Sequence, residues 1–314
     1  VIYEDPKTES AVPEDAPVVL KVEHLNAGKM VQDVSFELHK GEILGFSGLM
    51  GAGRTETARA LFGADPKESG DIYVNGEKVT INCPQDAVKC GIGYLSEDRK
   101  RYGVAVQKTV AENTTMATVH QFMKGIFINR KKEAAVAQEY VDALATKTPS
   151  VDQLVVNLSG GNQQKVIVSR WLANDPDVLI MDEPTAGLDV EARNEILDML
   201  RAYIAEDESR SILITSHIST DLESLCDELY LIHDGKLILH EATDAILEQY
   251  GILKVSEEQY RTLDQSSILK VQKENYGYAC FTNDKKFYQE NYPQIAVENG
   301  GIDELILMMT GGYR

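Results

Sequence analysis

The sequence predicts an α/β protein: a mostly parallel sheet covered by helices, with a smaller α+β unit at its end. Three observations carry that prediction. After residue 40, strand-like runs alternate with helical ones, the pattern of parallel strands joined by crossovers. A glycine-rich loop of the form G-x4-G-[basic]-[ST] stands between an apolar strand and a helix. From Tyr250 onward the apolar periodicity weakens, and residues 251–314 read as a small α+β tail.

In chain order, residues 1–17 hold Glu4, Asp5, Glu9, Glu14 and Asp15, with prolines at 6, 13 and 17. That composition reads as a polar, stiffened leader or interdomain linker. Short β-rich runs follow at 18–22, 31–38 and 43–48. Runs 71–74 and 77–81 flank Asn75-Gly76, a hairpin signal because both residues tolerate the positive φ of a tight primed turn. Residues around 105–150 are expected to be mostly helical, with 131–144 the evident helix. A helix from Gly160 to about Leu172 comes next, then a strand 177–181 and a helix 190–203. A strand 211–216, a helix 220–226 and a strand 228–233 complete the alternation, and Asp234-Gly235 turns into one more strand. Residues 302–309 fit a short amphipathic helix docking on the main body.

Composition narrows the function classes. Fifty acidic residues against 31 basic give a net charge of −19. Such a surface argues against nucleic acid as a partner, since phosphate neutralisation needs a basic face. It argues equally against docking on anionic lipid. No apolar stretch approaches the about 18 residues of a transmembrane helix, so direct membrane insertion is not expected. The N-terminus lacks the basic and apolar regions of a signal peptide, and it lacks an initiator Met, which suggests a processed chain or a piece of a longer one. Cys83, Cys90, Cys226 and Cys280 are too sparse for a disulfide framework and form no CxxC pair, so a reduced setting is expected.

Gly48-Leu49-Met50-Gly51-Ala52-Gly53-Arg54-Thr55-Glu56 is the glycine-rich loop. Glycines let backbone N–H groups close around phosphate oxygens, and the helix N-terminus adds partial positive charge. Gly48, Gly51, Ala52, Gly53, Arg54, Thr55 and Glu56 are the candidate nucleotide contacts, and Thr55 is placed to offer its hydroxyl to Mg²⁺. Arg54 departs from the usual Lys: a planar fork replaces a compact point charge. Fast hydrolysis at this loop is therefore not expected.

Further along, the strand 177–181 ends in Asp182-Glu183, carboxylates suited to hold Mg²⁺ and to orient the attacking water. Between the two lies Leu158-Ser159-Gly160-Gly161-Asn162-Gln163-Gln164-Lys165, a second anion site by the same end-of-helix logic. Gly187-Leu188-Asp189 and Ser216-His217 follow. In that order these motifs resemble the ATP-binding cassette (ABC) family over residues 18–244, with a helical subdomain at about 98–172 and residues 245–314 as an accessory tail. The resemblance implies ATP and Mg²⁺ as ligands and a head-to-tail dimer with a second cassette. Each ATP would lie between one glycine-rich loop and the partner's Ser159-Gly160-Gly161 turn. By position, Thr55 and Asp182 would serve Mg²⁺, Glu183 would be the general base, and His217 the switch residue at the γ-phosphate. Asp189 would couple the two sites, and Glu97 stands where the family usually has Gln. The adenine-stacking aromatic is missing: His24 is the only ring between Val18 and Val34, and it reads as a surface histidine.

The branch of the family is divided along the chain. Residues 18–175, through the glycine-rich loop, Gly91–Lys100 and Leu158–Lys165, resemble the second cassette of monosaccharide (ribose-, galactose- and xylose-type) importers. Residues 177–314, through Glu183-Pro184-Thr185-Ala186-Gly187-Leu188-Asp189, His217 and the tail, resemble stand-alone exporter cassettes. The resemblance implies a peripheral place on the cytoplasmic face of the plasma membrane, held by transmembrane permease subunits. Sugar import, drug or peptide export, and a non-transport ABC ATPase stay open at this point, with import favoured because the permease-gripping region carries the importer likeness. The tail, with six of the fourteen tyrosines, reads as a small unit packing its own core or as a regulatory appendage.

Overall fold

Three wholly buried strands, Ile43–Ser47, Val178–Asp182 and Ser211–Thr215, form the centre of the protein. Runs this apolar leave no face for water, which is the mark of central parallel strands. In the computed structural model, which describes residues 12, 13, 15–207 and 209–311, they belong to a six-stranded sheet. Glu4, Asp5, Pro6, Glu9, Glu14 and Tyr313 lie outside the described residues. The strand order across this sheet is 236–242, 228–233, 43–47, 211–215, 178–182 and 92–95. Every neighbouring pair is parallel except the first, which folds back through Asp234-Gly235, both at positive φ.

A second, antiparallel sheet takes the order 31–39, 18–27, 69–74 and 77–79. Its last hairpin turns on Asn75 and Gly76 at φ 50° and 80°, as that dipeptide predicts. Phe36 of this sheet meets Phe46 of the central one edge-on at 4.9 Å, and Tyr230 meets Phe46 at 5.9 Å. The two sheets thus share one core.

The segment 105–150 is mostly helical, as expected, with one exception. Helices Val110–Thr115, Arg130–Ala143 and Gly160–Leu172 are present, but Met123–Lys124 and Phe127–Ile128 pair as a hairpin. Gly125, at φ 65°, supplies the turn that a continuous helix would exclude. The buried Arg170 ties this segment together. Its guanidinium donates to the Asn113 and Gly103 carbonyls at 2.9 and 2.6 Å and to Asn113 Oδ1 at 3.1 Å.

The tail has a more definite form than the sequence shows. Strand Gly251–Val255, helix Glu257–Thr262, strands Ile268–Glu274 and Gly277–Thr282, helix Lys285–Asn291 and strand Ala296–Asn299 follow in order. The sheet order is 268–274, 277–282, 251–255, 296–299, with all neighbours antiparallel. This is a split β-α-β-β-α-β, or ferredoxin-like, topology. One side of its sheet closes a separate core around Leu253, Val255, Cys280 and Tyr288. The other side presents Ile252, Ala279 and Phe281 to the main core. Helix Ile302–Thr310 then packs back on helix Ser219–Leu225: Ile302 N donates to Glu223 Oε1 at 3.1 Å, and Ser219 donates to Asp303.

Beneath the central sheet, Glu42 is 2% exposed; its Oε2 accepts from His39 N at 2.6 Å while Oε1 has no partner. Burial pushes this carboxyl up to about 8, with Glu228 and Asp227 adding in the same direction. A carboxyl raised in the folded state holds its proton there while the unfolded chain gives it up. Its contribution to stability is therefore present below about pH 4.5 and is lost as pH rises toward 8. Glu42→Gln should gain on the wild type by about 2 kcal/mol between pH 5.5 and 7.5. Urea unfolding at the two pH values checks this; an unchanged difference would refute it.

Candidate functional site

The carboxyl ends of four parallel strands converge on one edge of the sheet, where ligands of open α/β folds bind. Ile43–Ser47 leads into the glycine-rich loop, Val178–Asp182 into Glu183, Ser211–Thr215 into Ser216-His217, and Ile92–Leu95 into Ser96-Glu97. Register sets Thr215 opposite both Asp182 and Phe46, so the three loops start at one level. His217 stands two residues beyond its strand rather than ending it.

The loop conformation demands its glycines. Gly53 is at φ 111°, and a Cβ there would lie 2.1 Å from the Met30 carbonyl; at Gly48, φ 152°, it would meet the Ile232 carbonyl at 2.4 Å. Gly51 takes φ 76° with open space around it. Ala52 is buried, and its carbonyl accepts from Gly235 N at 2.8 Å, which fixes the loop to the next strand turn. Helix Arg54–Leu61 begins directly at Gly53 and carries Glu56 in its first turn.

Asp182 is fully buried and saturated with donors. Thr215 Oγ1 donates to Oδ1 at 2.7 Å, Thr55 Oγ1 to the same oxygen at 3.0 Å, and Tyr94 OH to Oδ2 at 2.9 Å. Thr55 Oγ1 also lies 3.4 Å from Glu97 Oε2. A hydroxyl between two carboxylates is an oxygen donor set that suits Mg²⁺.

Glu183 is 4% exposed and held at φ 51°, a left-handed conformation uncommon outside glycine and frequent at functional sites. Its Oε1 lies 3.0 Å from Arg54 Nη2, and its Oε2 accepts from the His217 backbone N–H at 3.1 Å and faces His217 Nδ1 at 2.7 Å. Arg54 is 7% exposed, and its Nη1 is buried without a partner. Burial pulls this guanidinium below its ordinary value, with Glu183 and Asp182 acting against that pull. An orphaned N–H on a buried cation inside a glycine cradle fits an anionic ligand such as a phosphate.

Other expected residues are placed apart from this cluster. Ser159 caps helix Gly160–Leu172 and accepts from Asn162 Nδ2 at 2.8 Å. Arg99 Nη2 would lie 2.8 Å from a Cβ on Gly160, and Ala192 would lie as close to one on Gly161. Asp189 caps helix Val190–Glu206 through Ala192 N at 2.9 Å. Gln164 bridges the two regions, donating to the Pro184 carbonyl at 2.8 Å, next to Glu183. His24 is exposed and paired with Asp33 at 2.7 Å. The cavity beside Glu56, of about 430 Å³, is lined by Ala27, Gly28, Met30 and Asp65 among others, with no aromatic ring in its wall.

Sequence reasoning missed several supporting residues. Tyr94 and Thr215 orient Asp182 from neighbouring strands, and a polar group within each apolar run was the available signal. Asp221, fully buried, accepts from Thr185 and from Arg193 Nε at 2.6 Å, bracing the 183–189 loop. Nothing in its local pattern marks it.

The ABC transporter family model matches residues 31–186. The xylose import ATP-binding protein XylG of Thermoanaerobacter pseudethanolicus is 45% identical over 210 residues, covering 67% of this chain and 41% of that protein. A protein of Albidiferax ferrireducens, named as a ribose/galactose/methyl galactoside import ATP-binding protein, is 44% identical over 233 residues, 74% of this chain and 46% of its own length. The chain thus spans about half the length of the curated relatives it matches. Among solved structures, a nucleotide-free ATP-binding cassette from an ABC transporter superposes with TM-score 0.62 at 20% identity, covering 72% of this chain and 91% of that one. A dimeric cassette in a post-hydrolysis state bound to ADP and Pi gives 0.60 at 20% identity, over 71% and 98%. Both share the fold.

Proposed function

This chain carries an ABC transporter ATP-binding cassette, and from that premise we propose that it binds and hydrolyses Mg-ATP to drive monosaccharide import, as the second cassette of its transporter. The observation that carries this reading is the convergence of Arg54, Thr55, Asp182, Glu183 and His217 on one sheet edge beside the glycine loop. In this reading the loop N–H groups from Gly48 to Thr55 hold the phosphates, and Arg54 offers its unpartnered Nη1 to them. Thr55 and Asp182, with Glu97 beside them, would hold Mg²⁺. The metal would neutralise phosphate charge as it develops. Glu183 takes the proton of the attacking water, and His217 steers Glu183 while reaching the γ-phosphate. Ser159, Gly160, Gly161 and Asp189 belong to a head-to-tail dimer with another cassette, completing the partner's site. That they stand apart from this chain's own cluster supports the division. Permease subunits would grip the helical segment, where Met123, Ile126 and Phe127 are exposed at 48, 85 and 73%. That contact would hold the protein at the cytoplasmic face of the membrane.

Binding should be weak, because the cavity beside the phosphate loop has no ring to stack on adenine. Calorimetry with a non-hydrolysable ATP analogue is expected to give a dissociation constant above about 1 μM, a binding free energy weaker than about −8.2 kcal/mol. Sub-micromolar binding would contradict the reading of a degenerate site.

Export is the second reading, favoured by Glu183–Asp189, by His217 and by the ferredoxin-like tail. Co-purification from the native operon decides between the two: a sugar-type permease with a binding protein supports import, and an efflux permease supports export.

A further inference from the structure

The two groups on which turnover would depend are bonded to each other. Arg54 Nη2 lies 3.0 Å from Glu183 Oε1, and both side chains are more than nine-tenths buried. Glu183 Oε2 is taken by the His217 ring and backbone N–H. Both oxygens of the candidate base are therefore engaged by groups of this chain. The cation of the glycine-rich loop is, in turn, paired with a carboxylate. We infer that the Arg54–Glu183 ion pair is an autoinhibitory latch: without nucleotide it holds the base and the phosphate-binding arginine out of service, and a bound phosphate releases both by attracting Arg54. The inference rests on the reading of this loop as a nucleotide site.

Several physical features make the pair a latch rather than a bystander. A guanidinium is long and forked, so from the first helical position it reaches Glu183, just past strand Val178–Asp182 and two strands over from the one that leads into the loop. Its second arm, Nη1, is buried without an acceptor, so the pair leaves one donor unsatisfied. Leaving a buried donor unmade costs more than making the bond gains, so an arriving phosphate oxygen has a ready partner. Glu183 is meanwhile fixed at φ 51° by its backbone N–H donating to the Thr215 carbonyl at 3.0 Å. The main chain under the carboxylate is thereby tied to the sheet, and the arginine, with more rotatable bonds, is the part that would move. Release of Arg54 leaves Glu183 bonded to His217 alone, with Oε1 free to accept from water.

A double-mutant cycle on the full chain tests this, using the imidodiphosphate analogue of ATP so that hydrolysis does not enter. Removing the Glu183 charge also removes plain repulsion of the phosphates, and that effect is present whether or not Arg54 is. The latch adds a second gain that exists only with Arg54. Glu183→Gln is expected to tighten analogue binding about tenfold or more in the otherwise wild-type chain, and only about twofold in an Arg54→Gln background. Equal gains in the two backgrounds would overturn the latch while leaving the nucleotide site intact. If neither the wild type nor Glu183→Gln binds the analogue at millimolar concentration, the nucleotide reading falls and the latch with it. Should Arg54→Gln fail to fold, Arg54→Met keeps the packed stem and serves as the neutral background.

Discussion

Glu183→Gln is expected to lower ATP turnover by about 100- to 1000-fold, the usual contribution of a positioned general base. The substitution isolates the chemistry because the amide has the same shape as the carboxylate. The amide offers one acceptor oxygen in place of two, so it keeps either the His217 N–H contact or the Arg54 Nη2 contact, and the charge that holds Arg54 is gone. Glu183→Ala would be harder to read: it strands a buried guanidinium, and breaking a buried pair that way costs about 3–5 kcal/mol. Single-turnover measurements with saturating nucleotide give the result directly. Turnover within a few-fold of wild type would remove Glu183 from the role of base and leave Asp182 to be explained as a ligand-holding group alone. His217→Ala should cost less, since the Glu183 backbone bond to Thr215 still fixes the carboxylate.

Part of this site was legible from residues and part was not, and the dividing line is physical. Gly48, Gly53 and Thr55 lie within one strand–loop–helix unit, so local spacing alone brings them together. Asp182 ends an apolar run and His217 lies two residues past another, and a parallel sheet aligns such ends. The fold was readable for the same reason: fully apolar runs must be central strands. The Arg54–Glu183 pair was not readable, because it depends on a rotamer reaching across 129 positions of chain, and local spacing marks Arg54 only as a nucleotide contact in the place of Lys. Asp221 is hidden likewise, bonded to Thr185 and Arg193 from a helix that looks ordinary. The tail illustrates a different limit. Short strands with mixed exposure, such as Ile268–Glu274, carry little periodic signal, so only their pairing order reveals the ferredoxin-like arrangement.

Arg54→Lys, assayed alone and opposite a second cassette, is expected to separate the two halves of this chain's work. In the proposed head-to-tail pair the chain would give Arg54, Thr55, Asp182, Glu183 and His217 to one site and Ser159-Gly160-Gly161 to the other. The second set is intact, and Ser159 sits in an ordinary helix cap with its hydroxyl at the surface of the turn. The first set would be compromised by the arginine, a planar fork where a compact point charge suits a packed phosphate site. The isolated chain should therefore hydrolyse ATP slowly, and mixing it with a cassette whose loop carries Lys should raise turnover at the partner's site. Ser159→Arg should abolish that stimulation while leaving this chain's own nucleotide binding in place. Arg54→Lys should do the reverse, raising turnover at this chain's site by about tenfold or more. A gain of that size needs only about 1.4 kcal/mol of recovered transition-state stabilisation, and a compact ammonium seated at the phosphate can supply it. The intact Glu183 and His217 argue that the site keeps some turnover of its own, so the measured wild-type rate should be low but above background. If the wild-type chain alone is fully active and Arg54→Lys changes nothing, the arginine is no handicap and the proposed division between the two sites is wrong.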